Sequence, residues 1–212
     1  MGQKVNPVGF RLEQIKNGPI WQSAWFASKK KYAGLIGEDK KIRDFVGNKL
    51  YSAGVVTIRI ERSVKKIKIT LLVSRPGLVI GRGGKELEQL KKDLIKLLGK
   101  NIKQNIELQV EEFKQPDLSA KLVAEKIAYQ LTKRTPYRRA VLSAMERSIA
   151  AGAKGIKIIL SGRINGAEIG RREKFSQGTV PLSTLKSHLD YHECPSATRS
   201  GYIGVKVYLC LA

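Results

Sequence analysis

A short glycine-rich stretch that leads directly into an amphipathic segment is the feature that most limits how this chain can fold. Residues 79–85 read VIGRGGK, and residues 86–98 carry leucines spaced at i, i+3, i+7 and i+10/i+11. That spacing gives one apolar face and predicts a helix whose N-terminus lies at the glycines. Glycine permits the positive φ angles of a tight turn and a close approach by another backbone. Since a helix N-terminus also favours an anion, the stretch is predicted to hold a phosphate backbone.

The positions of the glycines separate three kinds of phosphate-binding loop. A dinucleotide-binding loop needs glycine at Glu86, whereas a nucleoside-triphosphate loop needs Ser or Thr there and glycine at Val79. What remains is the pattern G-x-x-G, with which KH domains clamp single-stranded nucleic acid. Alone this pattern is a weak signal, because many turns that begin helices contain glycine. The candidate RNA-binding residues of the loop are Gly81, Arg82, Gly83, Gly84 and Lys85.

The charge of the chain supports a nucleic-acid partner. Forty Lys and Arg against 18 Asp and Glu give a net charge of +22 over 212 residues. The excess is not confined to a tail, since residues 1–112 have 23 basic and 11 acidic residues and residues 113–212 have 17 and 7. Such an excess favours a polyanionic partner. Both halves of the chain are therefore predicted to contact nucleic acid.

Composition and short motifs exclude several other classes of protein. A hydrophobic content of 42% supports one or two globular domains. Without an apolar run of 18 residues or a signal-peptide core, the chain is expected to be soluble and intracellular, with Cys194 and Cys210 as reduced thiols. His188, His192 and Cys194 superficially resemble a metal site, but they lie in a predicted strand and lack a fourth ligand. No metal, cofactor, membrane or small-molecule substrate is predicted.

The pattern of hydrophobic residues predicts a basic N-terminal arm over residues 1–18 and then a small α/β sandwich over residues 19–112. The sandwich should contain a helix, two strands, a short helix, the glycine loop with its helix, and a last strand. The first helix is expected within residues 21–48, the strands at 55–61, 67–73 and 102–110, and the loop with its helix at 79–98. Tyr32, Leu35, Ile36, Ile42, Phe45 and Val46 are available for the buried side of the first helix.

A second domain is predicted over residues 117–212, after a boundary at residues 115–117. Its first helix should cover residues 118–133, and its second should begin with Thr135 as N-cap and Pro136 as the first helical residue. Asn165-Gly166 predicts the turn of a β-hairpin. Four antiparallel strands backed by the two helices are expected near residues 155–160, 168–175, 187–194 and 202–209. The predicted fold class is α+β.

Several motifs distributed along the whole chain, in a fixed order, resemble one known family. They lie at residues 1–12 (MGQKVNPVGFRL), 74–81 (SRPGLVIG), 153–157 (AKGIK), 161–163 (SGR), 166–169 (GAEI), 180–182 (VPL) and 201–207 (GYIGVKV). Together they are similar to the bacterial form of the third protein of the small ribosomal subunit. The agreement of separate motifs in the right order gives this resemblance a specificity that the glycine loop lacks.

The resemblance implies a type II KH domain followed by a family-specific C-terminal domain, located in the head of the small subunit near the entrance for messenger RNA. Implied partners are small-subunit ribosomal RNA, mRNA and neighbouring head proteins. The arm, with Lys4 and Arg11, would contact ribosomal RNA. The entrance, where the family is implicated in opening mRNA structure, would be lined by Lys133, Arg134, Arg138 and Arg139. The chain departs from the family pattern at Leu142, where a lysine is common.

Two other function classes compete with a structural ribosomal protein. A nucleic-acid enzyme is disfavoured because no D-x-D or H-x-E set of carboxylates is present. A free RNA-binding regulator would more often combine repeated KH units with linkers. Among individual residues, Trp21, Trp25 and Phe26 are interpreted as core or protein-contact residues rather than base-stacking ones. Residues 29–31 and 171–172 could be phosphate contacts or solvated charges.

Overall fold

The computed structural model describes residues 4–14, 21–63, 66–98 and 105–211, which form two compact units. The N-terminal unit lies within Pro19–Lys114. The C-terminal unit combines the described residues of Met1–Gly18 with those of Gln115–Ala212. The predicted arm therefore groups with the second half of the chain, although the other unit separates the two in sequence.

The N-terminal unit is a four-stranded sheet packed against helices. In chain order its elements are β1 (Ser23–Ala24), α1 (Lys29–Lys49), β2 (Val55–Arg62), β3 (Lys66–Val73), α2 (Pro76–Ile80), α3 (Lys85–Leu98) and β4 (Asn105–Glu112). The strands are ordered β1-β2-β3-β4, with β2 and β3 antiparallel and the other two pairs parallel. Alternate residues of β3, beginning with Ile67 and Ile69, are fully buried against Ile42, Leu90 and Leu94. The predicted order of elements in the α/β sandwich is confirmed.

The first helix begins at Lys29, inside the predicted region, but it buries fewer residues than expected. Ile42 and Val46 are buried as expected, but Tyr32 and Ile36 are exposed. The preceding residues are extended because the carboxylate of Asp39 accepts hydrogen bonds from Ser23 Oγ and Trp25 Nε1, both at 2.8 Å. Arg62 Nη2 lies 2.6 Å from the same carboxylate, and Asp39 is only 4% exposed. The buried charge is thus fully partnered, as a buried carboxylate requires.

The C-terminal unit contains two helices on one face of an antiparallel sheet. Its elements are α4 (Ala120–Thr132), α5 (Tyr137–Ala150), β5 (Gly155–Gly162), β6 (Arg171–Gly178), β7 (Leu189–Thr198) and β8 (Gly201–Cys210). The strand order is β6-β5-β8-β7, and every neighbouring pair is antiparallel. Ile156, Ile158, Val205 and Val207 face Ile127 and other core residues of the helices. The predicted four-stranded sheet backed by two helices is confirmed.

Two boundaries in this unit correct the sequence predictions. Asn165 and Gly166 do have positive φ angles, 57° and 77°, but they do not close a tight hairpin, because β6 begins only at Arg171, opposite Gly162. The loop is longer because Ile164 is buried and draws the chain into the core after β5. Pro136 precedes α5 instead of opening it, and its carbonyl oxygen accepts the hydrogen bond of a residue in the first turn.

Candidate nucleic-acid interface

The glycine loop joins the end of α2 to the start of α3 in a conformation that its glycines make possible. Gly81 has φ 70° and ψ −177°, a region open essentially to glycine alone. A Cβ atom at Gly81 would lie 2.7 Å from Cγ of Glu86. Gly83 and Gly84 also have positive φ, at 63° and 76°. The backbone therefore requires glycine at position 81, whereas Gly83 and Gly84 lie at φ angles that glycine merely favours.

The same loop is accessible to a ligand. A Cβ atom at Gly83 or Gly84 would meet no atom within 4 Å, so the main chain faces open space. Arg82 and Lys85 are exposed on either side of them. The first turn of α3 carries acidic residues that offset the positive end of its dipole. Positive charge for a phosphate thus comes from Arg82 and Lys85, and the glycines provide the close approach.

The two predicted RNA-binding residues of the arm occupy different environments. Arg11 is 4% exposed, and its Nη2 donates hydrogen bonds to the carbonyl oxygens of Pro181, Leu182 and Thr184 at 3.2, 2.6 and 3.0 Å. Its guanidinium therefore fastens the arm to the C-terminal unit instead of facing outward. Lys4 is exposed. Only Lys4 of this pair is placed to reach a phosphate.

Lys4 belongs to a basic surface that the sequence analysis did not identify as one site. The face of the C-terminal sheet opposite α4 and α5 carries Lys157, Arg172, Lys174 and Lys206, because side chains alternate along each strand. Burial, and then the positive charges of Lys4, Lys174 and Arg172, lower the pKa of Lys157. We call these five residues the basic sheet face. The signal in the sequence was the alternation of side chains along β6, which places Arg172 on this face and Arg171 on the other. Arg171 instead pairs with Glu173 at 3.1 Å.

The four residues implied at the messenger entrance lie together at the end of α4 and the start of α5. All four are exposed, and Lys133 Nζ lies 4.6 Å from the centre of the Tyr129 ring. Nε of Arg138 donates to the hydroxyl of Tyr137 at 3.2 Å, and that hydroxyl donates to Glu173 at 3.1 Å. Arg138 and Arg139 lie off the buried stripe of α5. Both side chains are therefore exposed, and that of Arg138 is also held by Tyr137.

Aromatic residues near the start of the N-terminal unit are less buried than a core requires. Trp25 is half-buried and bonded to Asp39, but Trp21 and Phe26 are 71% and 98% exposed. The interpretation as core residues is therefore wrong for Trp21 and Phe26. A contact with another protein remains as the prediction for those two.

Metal-binding groups are not found in the part of the chain that the structure describes. Within it, no three His, Cys, Asp or Glu side chains are grouped so that they could hold a metal ion. His192 and Cys194 lie on β7 as predicted, and both cysteines are free thiols. None of the described helices is long and apolar enough to span a membrane.

Comparison with known proteins agrees with these features. A KH domain model matches residues 41–118, and a model described as "Ribosomal protein S3, C-terminal domain" matches residues 127–209. Small ribosomal subunit protein uS3 of Desulforamulus reducens is 48% identical over 209 residues, covering 99% of this chain and 91% of the relative. Those of Shouchella clausii and Geotalea uraniireducens are each 49% identical, covering 99% of this chain and 92% and 96% of the relatives. The resemblance found in the sequence is confirmed, and the chain belongs to the family of small ribosomal subunit protein uS3.

Proposed function

We propose that this chain is a structural component of the head of the small ribosomal subunit and binds its ribosomal RNA. The observation that carries the proposal is the presence of exposed, clustered cations on both units. The glycine loop offers Arg82 and Lys85 beside an open backbone. On the basic sheet face, Lys4, Lys174 and Arg172 lie close enough to lower the pKa of Lys157. Surfaces of this kind neutralise phosphates and release counterions. Neighbouring head proteins complete the set of partners, and the ribosome is the proposed location.

Ribosomal RNA binding by the two surfaces can be tested on the full-length protein. Affinity for a small-subunit RNA fragment should fall steeply with salt, with a log-log slope of roughly −0.7 to −0.9 for each phosphate neutralised. Arg82→Asp with Gly83→Asp should weaken binding and leave the circular dichroism spectrum unchanged, because the loop contributes little to the core. A salt slope near zero would contradict RNA binding. Unchanged affinity of the loop variant would show that the loop is structural.

We further propose that Lys133, Arg134, Arg138 and Arg139 contact mRNA at its entrance to the subunit. In support, both arginines of α5 are exposed and lie outside the buried stripe formed by Tyr137, Val141, Ala144 and Met145. An exposed charge at this position is available for a passing phosphate backbone. Leu142 is half exposed one turn after Arg138, so a lysine introduced there would extend the same positive surface.

The messenger role is tested in reconstituted small subunits. Arg138→Ala with Arg139→Ala should incorporate normally and slow elongation through a stable hairpin more than through an unstructured message. Leu142→Lys should have the opposite effect. Arg147→Ala is the matched control, because it removes a positive charge from the same helix two turns further on. Failure of the double variant to incorporate, or equal slowing on both messages, would assign these arginines to ribosomal RNA instead.

A further inference from the structure

A cleft of about 500 Å³ opens at one end of the C-terminal unit, where several connections between its elements meet. Its walls come from the end of α4, the start of α5, residues 163–166 after β5, and the turn between β7 and β8. Its floor is apolar and formed by residues that are no more than 7% exposed, namely Leu131, Tyr137, Leu160, Ile164 and Ile203. Pockets of this size with an apolar base and a few polar groups are typical of small-ligand sites.

The rim of the cleft is positively charged, and its lining has no acidic side chain to neutralise that charge. Arg134, Arg163 and Arg199 line it, and its lining contains no Asp or Glu. Across the described residues, none of these three guanidinium groups pairs with a carboxylate. Nε of Arg163 donates to Ala167 O at 2.8 Å. This bond holds the loop and leaves the two terminal nitrogens of Arg163 for a ligand. Guanidinium groups present a planar fork of donors that matches a phosphate.

The backbone of the cleft gives a second, independent indication of a ligand. Among the non-glycine residues of the described ranges, only Arg134 and Asn165 have positive φ angles, 59° and 57°, and both line this cleft. Arg134 N–H donates to Leu131 O and Thr135 N–H donates to Gln130 O, which is the helix-ending pattern in which glycine normally holds the position of Arg134. Strained backbone of this kind clusters at ligand sites, which makes the side chain of Arg134 a candidate contact.

We propose that this cleft binds a nucleoside phosphate, with the base on the apolar floor and the phosphate on the three arginines. The amide of Asn165 and the hydroxyls of Thr135 and Ser200 are the polar groups available to the edge of the base or to the sugar. An acidic peptide would satisfy the arginines, but its carboxylates offer no apolar group to cover the floor. The nucleoside phosphate is an unstacked residue of an RNA chain or a free nucleotide. The first of these sources rests on the proposed RNA-binding function, and the second does not.

The test uses the full-length protein with labelled isoleucine methyl groups, because Ile164 and Ile203 lie on the floor. The probes are uridine and adenosine 5′-monophosphate, the two nucleosides without phosphate, hexauridylate, and a hexapeptide of aspartate. The methyl signals should shift with a monophosphate or with the oligonucleotide. Arg134→Gly with Arg199→Ala should weaken that binding by about tenfold or more, the loss of a charge-assisted contact. Arg147→Ala removes a charge outside the cleft and should change it less than about twofold.

The outcomes separate the two sources and the competing occupants. Binding of a monophosphate assigns the cleft to free nucleotides, and binding of hexauridylate alone assigns it to a residue of RNA; both support the proposal. It is overturned if only the aspartate peptide shifts the floor signals, if no probe does, or if Arg147→Ala weakens binding as much as the cleft variant. RNA binding with a steep salt slope and silent floor signals would overturn this inference alone. The absence of all RNA binding would overturn the proposed function, while the monophosphate still reports on the cleft.

Discussion

Both units place left-handed backbone at a candidate ligand surface, but they do so with opposite kinds of residue. In the glycine loop the positive φ angles belong to Gly81, Gly83 and Gly84. In the cleft of the C-terminal unit they belong to Arg134 and Asn165 as well as to Gly166. A non-glycine residue in this conformation costs roughly 1–2 kcal/mol, although asparagine tolerates it better. The loop thus brings the main chain to a ligand, whereas the cleft keeps a side chain where glycine would be less strained.

The largest effect should come from adding one methyl group to the loop. Gly81→Ala should lower the free energy of unfolding of the N-terminal unit by about 2–3 kcal/mol, because its φ and ψ suit only glycine and the new Cβ would meet Glu86. Gly83→Ala is the control, with the same chemical change in open space, and should cost about 1 kcal/mol. Urea unfolding followed by tryptophan fluorescence reports on this unit, since Trp21 and Trp25 both lie in it. Equal losses would show that contact with Glu86 is unimportant.

A smaller effect of opposite sign is expected at Arg134. Arg134→Gly should raise the free energy of unfolding by about 0.5–1 kcal/mol, because relief of the left-handed strain exceeds the extra entropy of glycine in the unfolded chain. Arg134→Ala removes the same charge but keeps a Cβ, so it should give no such gain. Hydrogen exchange of the α4 amides measures both. A loss of stability in Arg134→Gly would mean that the arginine side chain supports the fold and would remove the contrast with the loop.

The smallest effect concerns pH. The backbone N–H groups of the glycine loop do not titrate, whereas the lysines of the basic sheet face do. Burial and the nearby cations lower the pKa of Lys157 below its ordinary 10.5. Between the lowered pKa and 10.5 the unfolded chain binds more protons, so the free energy of unfolding should rise with pH in that window. A bound polyanion should raise the pKa again and flatten the rise.

Lysine NMR titration with and without heparin measures the pKa of Lys157 directly. Lys4→Ala should move it part of the way back, because burial is the larger cause and the neighbouring charges are the smaller one. No change in Lys4→Ala would remove Lys4 from the basic sheet face.

Local signals in the sequence were sufficient for the parts of the molecule whose structure depends on near neighbours. The leucine spacing gave α3, the alternation of Ile67 with Ile69 gave β3, and the glycines gave the loop. Features that depend on distant residues were not predicted. The cluster at Asp39 requires Arg62, 23 residues away, and the long loop after β5 depends on the burial of Ile164 in a core built from other elements.

The candidate site shows the same division. The basic residues at the start of α5 follow from their place outside an apolar stripe, so a helical pattern finds them. The cleft could not be found in that way, because Arg134, Arg163 and Arg199 come from three separate connections that only the finished sheet brings together. Asn165 does carry a signal in the sequence, because Asn-Gly is typical of a tight hairpin turn. The structure places it in a longer loop that lines the cleft instead.

The buried guanidinium of Arg11 also sets an order of events during synthesis. Its carbonyl partners at Pro181 and Leu182 lie 170 and 171 positions later in the chain, so these residues must leave the ribosome that makes the protein before the clamp can close. Until then the arm and its Lys4 remain available to whatever polyanion is nearby. Release of this later segment thus withdraws one cation into the protein and fixes another on its surface, and the arm acquires its final position only after that segment has been made.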